Sequence, residues 1–222
     1  MTPETLAALA LWGTVVGVDL VTFPQGLLSR PLVAALVAGL IAGDPEAGVV
    51  LGVALELFAL DVLPVGAARY PDYGPAAVAA VTVLTQRPWP QALGYAVALG
   101  LALAALGGWT LVWLRHANGR TVQRYAAGLA AGNPRTIALV QWRGVVRDVA
   151  RSFALTVVGL ALALAVREAV PAGAHPGLVT AVAVGTGLAA AAGGAVRNAG
   201  RGARLRWLGG GVLLGMLLVI LR

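Results

Sequence analysis

The chain has 222 residues, of which 59% are apolar and 11% are charged, against about 45–50% and 25% in an ordinary soluble domain. This balance excludes a soluble globular domain and indicates a chain that lies mostly within a bilayer. Its formal charge of +7 comes from arginine alone, and the absence of cysteine excludes a disulfide framework, a thiolate metal site and a cysteine nucleophile.

The N-terminal apolar run, residues 1–18, contains one charged side chain, Glu4, and no Lys or Arg precedes it. It therefore lacks the basic region of a secretory signal, and we predict a retained first helix. Asp19 follows this run. Its carboxylate either faces a ligand or ends the helix at a membrane interface.

An interrupted stretch between Pro24 and Pro31 comes next and contains Gln25, Ser29 and Arg30. Proline at both ends disfavours a continuous helix, so side chains and freed carbonyl groups here can face a ligand. We therefore count these three residues as candidate binding residues.

Three short apolar windows, residues 31–43, 47–55 and 73–86, are broken by Gly, Pro or a carboxylate. Each is too short to cross a bilayer easily. They are predicted to be discontinuous or re-entrant helices, which are tolerated at membrane depth where they line a polar cavity and are typical of a transporter core. Asp44 and Glu46, around Pro45, predict a tight turn into a helix.

Glu56 is the strongest candidate for a deeply placed carboxylate, since an ionisable side chain inside a membrane costs at least ~2.5 kcal/mol. Two interpretations stay open. The carboxylate can accept hydrogen bonds from the hydroxyls of a sugar, or it can form a structural ion pair with Arg30 or Arg69.

The stretch from residue 61 to residue 75 is rich in Pro and Gly, so we predict non-helical backbone there. Asp61, Arg69 and Asp72 lie within it. They either face a cavity or belong to an exposed loop between two spans.

The second half of the chain alternates uncharged spans with two Arg-rich segments, residues 115–151 and 197–206. The positive-inside rule places both segments in the cytoplasm. The predicted spans cover residues 91–114, 152–166, 176–196 and, as a short last element, 207–221.

Segment 115–151 is predicted to form an amphipathic helix pair, divided where Gly132 and Asn133 end one helix and Pro134 opens the next. It either docks a partner or lies on anionic headgroups. Nucleic acid is excluded as a partner because neither Arg-rich segment interleaves aromatic residues in a known reader motif.

No residue is predicted to be catalytic, and no cofactor is expected, because the sequence lacks a P-loop, a nucleophile elbow and a dinucleotide-binding motif. His116 and His175 stand alone at predicted span ends, without a second ligand at metal spacing, so no metal site is predicted.

Four motifs, in order, resemble the IIC subunit of the mannose/fructose/sorbose-type phosphotransferase permeases. They are Ser-Arg-Pro-Leu at 29–32, Gly-Leu-Ile-Ala-Gly-Asp at 39–44, Gly-Val-Ala-Leu-Glu-Leu at 52–57, and Pro-Val-Gly-Ala-Ala followed by Pro-Asp at 64–72. The resemblance covers residues 13–85. Glu56 matches the Glu of the family's Gly-x-x-x-Glu stretch, Asp72 matches its Pro-Asp, and the Asp of its first motif corresponds to Asp19.

The resemblance implies an all-α, polytopic, elevator-type permease in the plasma or inner membrane. It implies a sugar substrate, a IID membrane partner, phosphorylated IIA and IIB proteins that carry the phosphoryl group, and a homotrimer of IIC–IID units. The chain itself would then be a translocation subunit and not an enzyme.

We expect one membrane-embedded domain over residues 1–222, with a transport core in residues 1–114, the Arg-rich segment 115–151 and C-terminal spans in 152–222. The candidate substrate-binding residues are Glu56, Asp19, Asp72, Gln25, Arg30, Ser29 and Arg69. The alternatives are a transporter of another small polar solute without phosphoryl coupling, and a membrane scaffold that transports nothing.

Overall fold

A computed structural model describes residues 1–60, 62, 69–169 and 176–196, together with Arg206 and Gly210. The described chain is helical, which confirms the predicted all-α class. Its helices are α1 (Pro3–Asp19), α2 (Pro31–Ile41), α3 (Pro45–Ala59), α4 (Tyr73–Leu84), α5 (Trp89–Arg124), α6 (Ala126–Ala130), α7 (Pro134–Ala169) and α8 (Pro176–Val196). The predictions for Asp61, for most of segment 197–206 and for the last span lie outside the described residues.

The first half of the chain contains short helices, as its broken apolar windows predict. With 11 residues in α2 and 12 in α4, these helices are about 16 and 18 Å long at about 1.5 Å per residue. Neither length crosses a hydrocarbon layer about 30 Å thick.

Helices α2 and α3 form a tight hairpin. Gly43 turns the chain with a φ of 74°, and Asp44 caps α3 by accepting a hydrogen bond from the Ala47 amide. The predicted turn into a helix is therefore confirmed. A Cβ added at Gly48 would lie 2.5 Å from the carbonyl oxygen of Ala35, so the backbones of the two helices pack directly against each other.

Helix α4 lies at the centre of the molecule, because every one of its residues is buried. It contacts α1, α2, α3, α5 and α7. The fully buried side chains of the surrounding helices include Leu9, Val16, Leu51 and Leu55. A helix that is apolar on all faces is stable only when other elements surround it, which explains why the short, uncharged α4 occupies this position.

Helices α5 and α7 have 36 residues each and are therefore about 54 Å long. Of the helices in the described part of the chain, these two are long and apolar enough to cross a membrane. They pack against each other and against α4, and α8 packs against α3 and α5.

The helices predicted within residues 115–151 are continuous with the neighbouring apolar helices, because the arginines lie on extensions of α5 and α7. No proline interrupts either extension, so each helix continues past the apolar span. The predicted break itself is confirmed. Gly132 has a φ of 67°, Asn133 accepts a hydrogen bond from the Arg135 amide over 3.0 Å, and Pro134 begins α7.

Candidate functional site

The carboxylate of Asp19 organises the segment between α1 and α2. Asp19 is the last residue of α1, and its side chain is only 1% exposed. One carboxylate oxygen accepts from the Gly26 amide over 2.6 Å, and the other accepts from the Ser29 amide over 2.9 Å. A buried carboxylate with two amide donors is well satisfied, so Asp19 fixes the path of residues 20–30.

This segment holds unusual backbone conformations. Gln25 has a φ of 58° and Leu27 a φ of 64°, and both lie in the left-handed region that side chains other than glycine seldom adopt. Such conformations persist where the surroundings hold them in place, and they concentrate at binding sites. Here Asp19 supplies the restraint, since its two hydrogen bonds lie on either side of Leu27.

A cavity of about 350 Å³ opens beside this segment. Its walls come from the end of α1, from the segment that Asp19 organises, and from the residues just before α4. The lining residues are Asp19, Leu20, Gln25, Leu27, Ser29, Arg30, Pro31, Ala59, Val62, Tyr70, Pro71 and Tyr73. Among the described residues, the cavity therefore combines the Asp19 carboxylate, the Arg30 guanidinium, the Gln25 amide and the Ser29 hydroxyl with two tyrosine side chains.

Glu56 lies behind the cavity wall and forms an ion pair with Arg30. Its second oxygen accepts from the Leu32 amide over 3.1 Å. Of the two partners that the sequence offers, Arg30 is thus the one that Glu56 contacts. Because Arg30 lines the cavity and Glu56 does not, Glu56 acts on the cavity by fixing the position of the Arg30 guanidinium.

A second polar cluster, buried among α1, α5 and α7, centres on Arg151. Its Nη1 donates to Asp72 Oδ2 over 2.8 Å, and its Nε donates to Asp148 Oδ1 over 2.9 Å. Nη1 also donates to Thr110 and Nη2 to the Gly17 carbonyl, each over 3.2 Å. A charged group with so many partners is held rigidly.

The Arg151 cluster contains two carboxylates and one guanidinium, so its formal charge is negative. Asp72 Oδ1 is fully buried and has no hydrogen-bond partner in the described structure. The cluster also contacts the chain between α1 and α2, because Thr22 donates to Asp148. Thr22 belongs to the segment that Asp19 organises.

The structure brings Asp19, Gln25, Ser29 and Arg30 together at one cavity. The other predicted site residues lie elsewhere. Glu56 supports Arg30 from behind. Asp72 lies between two cavity-lining residues, but its side chain turns away to Arg151.

Arg69 is exposed and stacks on the ring of Trp109, with its guanidinium carbon 4.4 Å from the ring centroid. It is not among the cavity-lining residues. Asp61 lies outside the described residues.

Sequence reasoning missed Asp148 and Arg151, because both lie in a segment interpreted as a solvated or interfacial surface. Their spacing of three positions places them on one face of a helix and was the available signal. Among the described residues, no three His, Asp or Glu side chains come close enough to hold a metal ion.

The fold and the cavity define a class of helical proteins in which short, interrupted helices surround a polar site. Comparison with known proteins identifies the family. Residues 5–199 match the family described as PTS system sorbose-specific IIC component, and the chain belongs to it. The resemblance of the four sequence motifs is thereby confirmed.

Three relatives illustrate the similarity. The chain is 35% identical over 117 residues to the fructose permease IIC component of Bacillus subtilis, covering 52% of this chain and 42% of that protein. It is 34% identical over 119 residues to the sorbose-specific EIIC component of Lacticaseibacillus casei, covering 51% and 43%. It is 31% identical over 110 residues to the mannose-specific EIIC component of Escherichia coli, covering 50% and 40%. The matches thus span less than half the length of each relative.

Two solved structures share the fold. One is described as the structure of a membrane protein, with a TM-score of 0.75 and 19% identity over 100% of this chain and 94% of that chain. The other is the mannose transporter ManYZ in complex with microcin E492, with a TM-score of 0.65 and 19% identity over 100% and 95%.

Proposed function

We propose that this chain is the membrane permease (IIC) subunit of a mannose-type phosphotransferase system and that it binds and translocates a hexose or related sugar. The observation that carries the proposal is the convergence of Gln25, Ser29 and Arg30 with Asp19 on one cavity. The relatives named above are sugar-specific IIC components, and they support the same role.

The cavity suits a polyhydroxylated solute. Its volume of about 350 Å³ is within the range of small-molecule sites, which combine apolar walls with a few placed polar groups. A sugar hydroxyl both donates and accepts, so it can pair with the Gln25 amide, the Ser29 hydroxyl and the Arg30 guanidinium. Tyr70 and Tyr73 supply flat apolar faces for the C–H side of a sugar ring.

We further propose that the whole chain is one membrane domain in the plasma or inner membrane and that it crosses the bilayer several times. Helices α5 and α7 would span the bilayer, and the shorter α2, α3 and α4 would be interrupted or re-entrant pieces around the site. The positive-inside rule then places the Arg-rich segments 115–151 and 197–206 in the cytoplasm.

Phosphoryl transfer is assigned to partners. By analogy with the mannose transporter ManYZ, this subunit would pair with a IID membrane subunit. The resemblance of the four motifs further implies a homotrimer of IIC–IID units. Cytoplasmic IIA and IIB proteins would phosphorylate the sugar on arrival, which leaves translocation as the role of this chain.

The test is uptake of labelled hexoses by cells that lack their own mannose-type permease and express this chain with a IID subunit. Uptake that requires both this chain and the phosphocarrier proteins supports the proposal. Uptake that survives without phosphoenolpyruvate and needs an ion gradient would assign a carrier without phosphoryl coupling. No uptake of any solute by a correctly inserted complex would leave a scaffold role.

A further inference from the structure

The joined ends of α5 and α7 form a strongly cationic tip, defined here as residues 115–147. This tip contains six arginines and no carboxylate. The two helices are fastened together there by Arg147, whose Nη1 donates to the Ala117 carbonyl, to Asn118 and to Thr121 over 2.6–3.2 Å. Arg143 donates to the Tyr125 hydroxyl over 2.9 Å. The tip is therefore an ordered structure.

Other arginines of the tip are left for an external partner. Arg120, Arg124 and Arg135 are exposed, and within the described structure their guanidinium groups make no hydrogen bond, ion pair or ring contact. Arg143 and Arg147 hold the tip together, whereas these three guanidinium groups are available to bind an anionic partner.

A groove on α5 runs along the tip beside these arginines. It has a volume of about 440 Å³ and is lined by Val112, Arg115, His116, Gly119, Arg120 and Gln123. Gly119 forms its open floor, since a Cβ added there would have no neighbouring atom within 4 Å. The groove thus combines cationic walls with room for a headgroup.

The tip also exposes large apolar side chains. Trp142 is 66% exposed, Val146 62%, Val122 47% and Ile137 45%. A surface that contacts only water or a soluble acidic protein rarely exposes this much apolar area. Arginines interleaved with exposed aromatic and branched side chains are typical of helices that lie at the boundary of headgroups and acyl chains.

The position of the tip along α5 agrees with that boundary. Residues 91–114 of α5 are uncharged, and at about 1.5 Å per residue they extend for about 36 Å. This is slightly more than a hydrocarbon layer of about 30 Å. Arg115 and the groove therefore begin where α5 leaves the hydrocarbon and enters the layer of lipid phosphates.

We propose that the groove on α5 is a binding site for the headgroup of an anionic phospholipid of the cytoplasmic leaflet. The Arg120 guanidinium would donate hydrogen bonds to the phosphate, and the neighbouring Arg115 would add positive charge. The headgroup would lie over Gly119, and the acyl chains would follow Val112 towards the membrane interior. The inference rests on the proposed membrane embedding, but not on the identity of the transported solute.

Arg115 also links this site to the candidate substrate cavity. Its guanidinium carbon lies 4.9 Å from the ring centroid of Tyr70, and Tyr70 lines that cavity. For this reason Arg115 is unsuitable as a test position, and Arg120 and Gly119 are the better choices.

The experiment titrates the purified full chain with phosphatidylglycerol and, separately, with phosphatidylcholine, and counts bound lipid by native mass spectrometry. We expect tighter binding of phosphatidylglycerol. One arginine at an anionic surface contributes about a fivefold change in affinity, so Arg120→Gln should weaken phosphatidylglycerol binding about fivefold. Gly119→Leu should weaken it at least as much by filling the groove. The matched control Arg87→Gln, ahead of the opposite end of α5, should change nothing.

Several outcomes would overturn the proposal. One is equal affinity for the two lipids, and another is unchanged phosphatidylglycerol binding in both groove variants. A third is inorganic phosphate that competes for the groove as well as phosphatidylglycerol does at the same concentration. A fourth is a pair of groove variants that retain lipid binding but lose binding to an acidic phosphocarrier protein. In the described part of the chain, a Cβ at Gly119 meets open space and Arg120 is exposed, and two independent variants guard against misfolding of either one. Failure to co-sediment with vesicles of either lipid would instead contradict the proposed membrane embedding.

Discussion

Arg151 on α7 donates a hydrogen bond to Asp72, the residue that precedes α4, across 2.8 Å inside the molecule. The side chains of both residues are nearly or fully buried, at 3% and 0% exposed. Asp72 lies between Pro71 and Tyr73, which line the candidate sugar cavity. This contact therefore ties one wall of the cavity to a helix long enough to cross the membrane.

We expect Arg151→Met to destabilise the protein strongly, because it leaves Asp72 and Asp148 as two buried carboxylates without a cation. Breaking a buried ion pair by removing one partner costs about 3–5 kcal/mol of unfolding free energy. Chemical unfolding of the purified chain in detergent measures the change. The control is Arg124→Met, at an exposed position on α5, which should stay within about 0.5 kcal/mol.

Asp72→Asn should cost less unfolding free energy than Arg151→Met, because it removes one of two carboxylates and leaves Arg151 paired with Asp148. The same unfolding assay compares the two variants. An equal or greater loss in Asp72→Asn would contradict the geometry of the Arg151 cluster.

Asp19→Asn should lower solute affinity by disordering the wall of the cavity. An amide can accept on one side only, so one of the hydrogen bonds from Gly26 and Ser29 is lost, at a cost of about 1–3 kcal/mol. We expect solute affinity to fall about tenfold or more, as measured by equilibrium dialysis.

Asp44→Asn is the matched control for Asp19→Asn. Asp44 also accepts from two amides, those of Ala47 and Gln86, but it does not line the candidate sugar cavity. It should lower stability and leave solute affinity unchanged. Equal affinity losses in both variants would show that the Asp19 effect is a general loss of stability.

Glu56→Gln should weaken sugar binding while the protein still inserts into the membrane, because the Arg30 guanidinium loses its anchor. The side chains of Arg30 and Glu56 are 34% and 20% exposed, so the stability change should stay within about 1 kcal/mol. Binding measured on Glu56→Gln and on Arg30→Gln should fall by similar factors. Arg69→Gln, which removes a guanidinium outside the cavity lining, should bind like the wild type.

Gly48→Ala should destabilise the α2–α3 hairpin, because its Cβ would collide with the Ala35 carbonyl 2.5 Å away. Overpacking of this kind costs about 1–3 kcal/mol. Gly119→Ala, in open space on α5, should instead stabilise the helix by up to about 1 kcal/mol. Thermal unfolding of the two variants in parallel checks that Gly48→Ala lowers the stability and Gly119→Ala raises it.

The features that the sequence predicts well depend on local chemistry. Gly132, Asn133 and Pro134 divide two helices because left-handed glycine, a capping amide and N-terminal proline act within a few residues. Asp44 and Pro45 begin α3 for the same reasons. The break in the helices around Gln25, Ser29 and Arg30 is predictable because two prolines interrupt the helix pattern there.

The features that the sequence did not reveal depend on contacts between distant segments. Asp148 and Arg151 belong to an Arg-rich stretch whose average character indicates a surface, and only the packing of α7 against α1 and α5 buries them. Glu56 pairs with Arg30 and not with Arg69, and this choice likewise depends on the α2–α3 hairpin. In the same way, Asp72 matches a family motif, but its partner lies 79 positions away.

Binding of labelled hexoses to the purified chain, together with the proposed IID subunit, is the most direct test of whether the cavity beside Asp19 binds a sugar. We expect saturable binding of at least one hexose, reduced about tenfold or more in Gln25→Ala and unchanged in Arg69→Gln. Binding that Gln25→Ala leaves intact, or no binding of any hexose to a well-folded complex, would contradict sugar binding at this cavity.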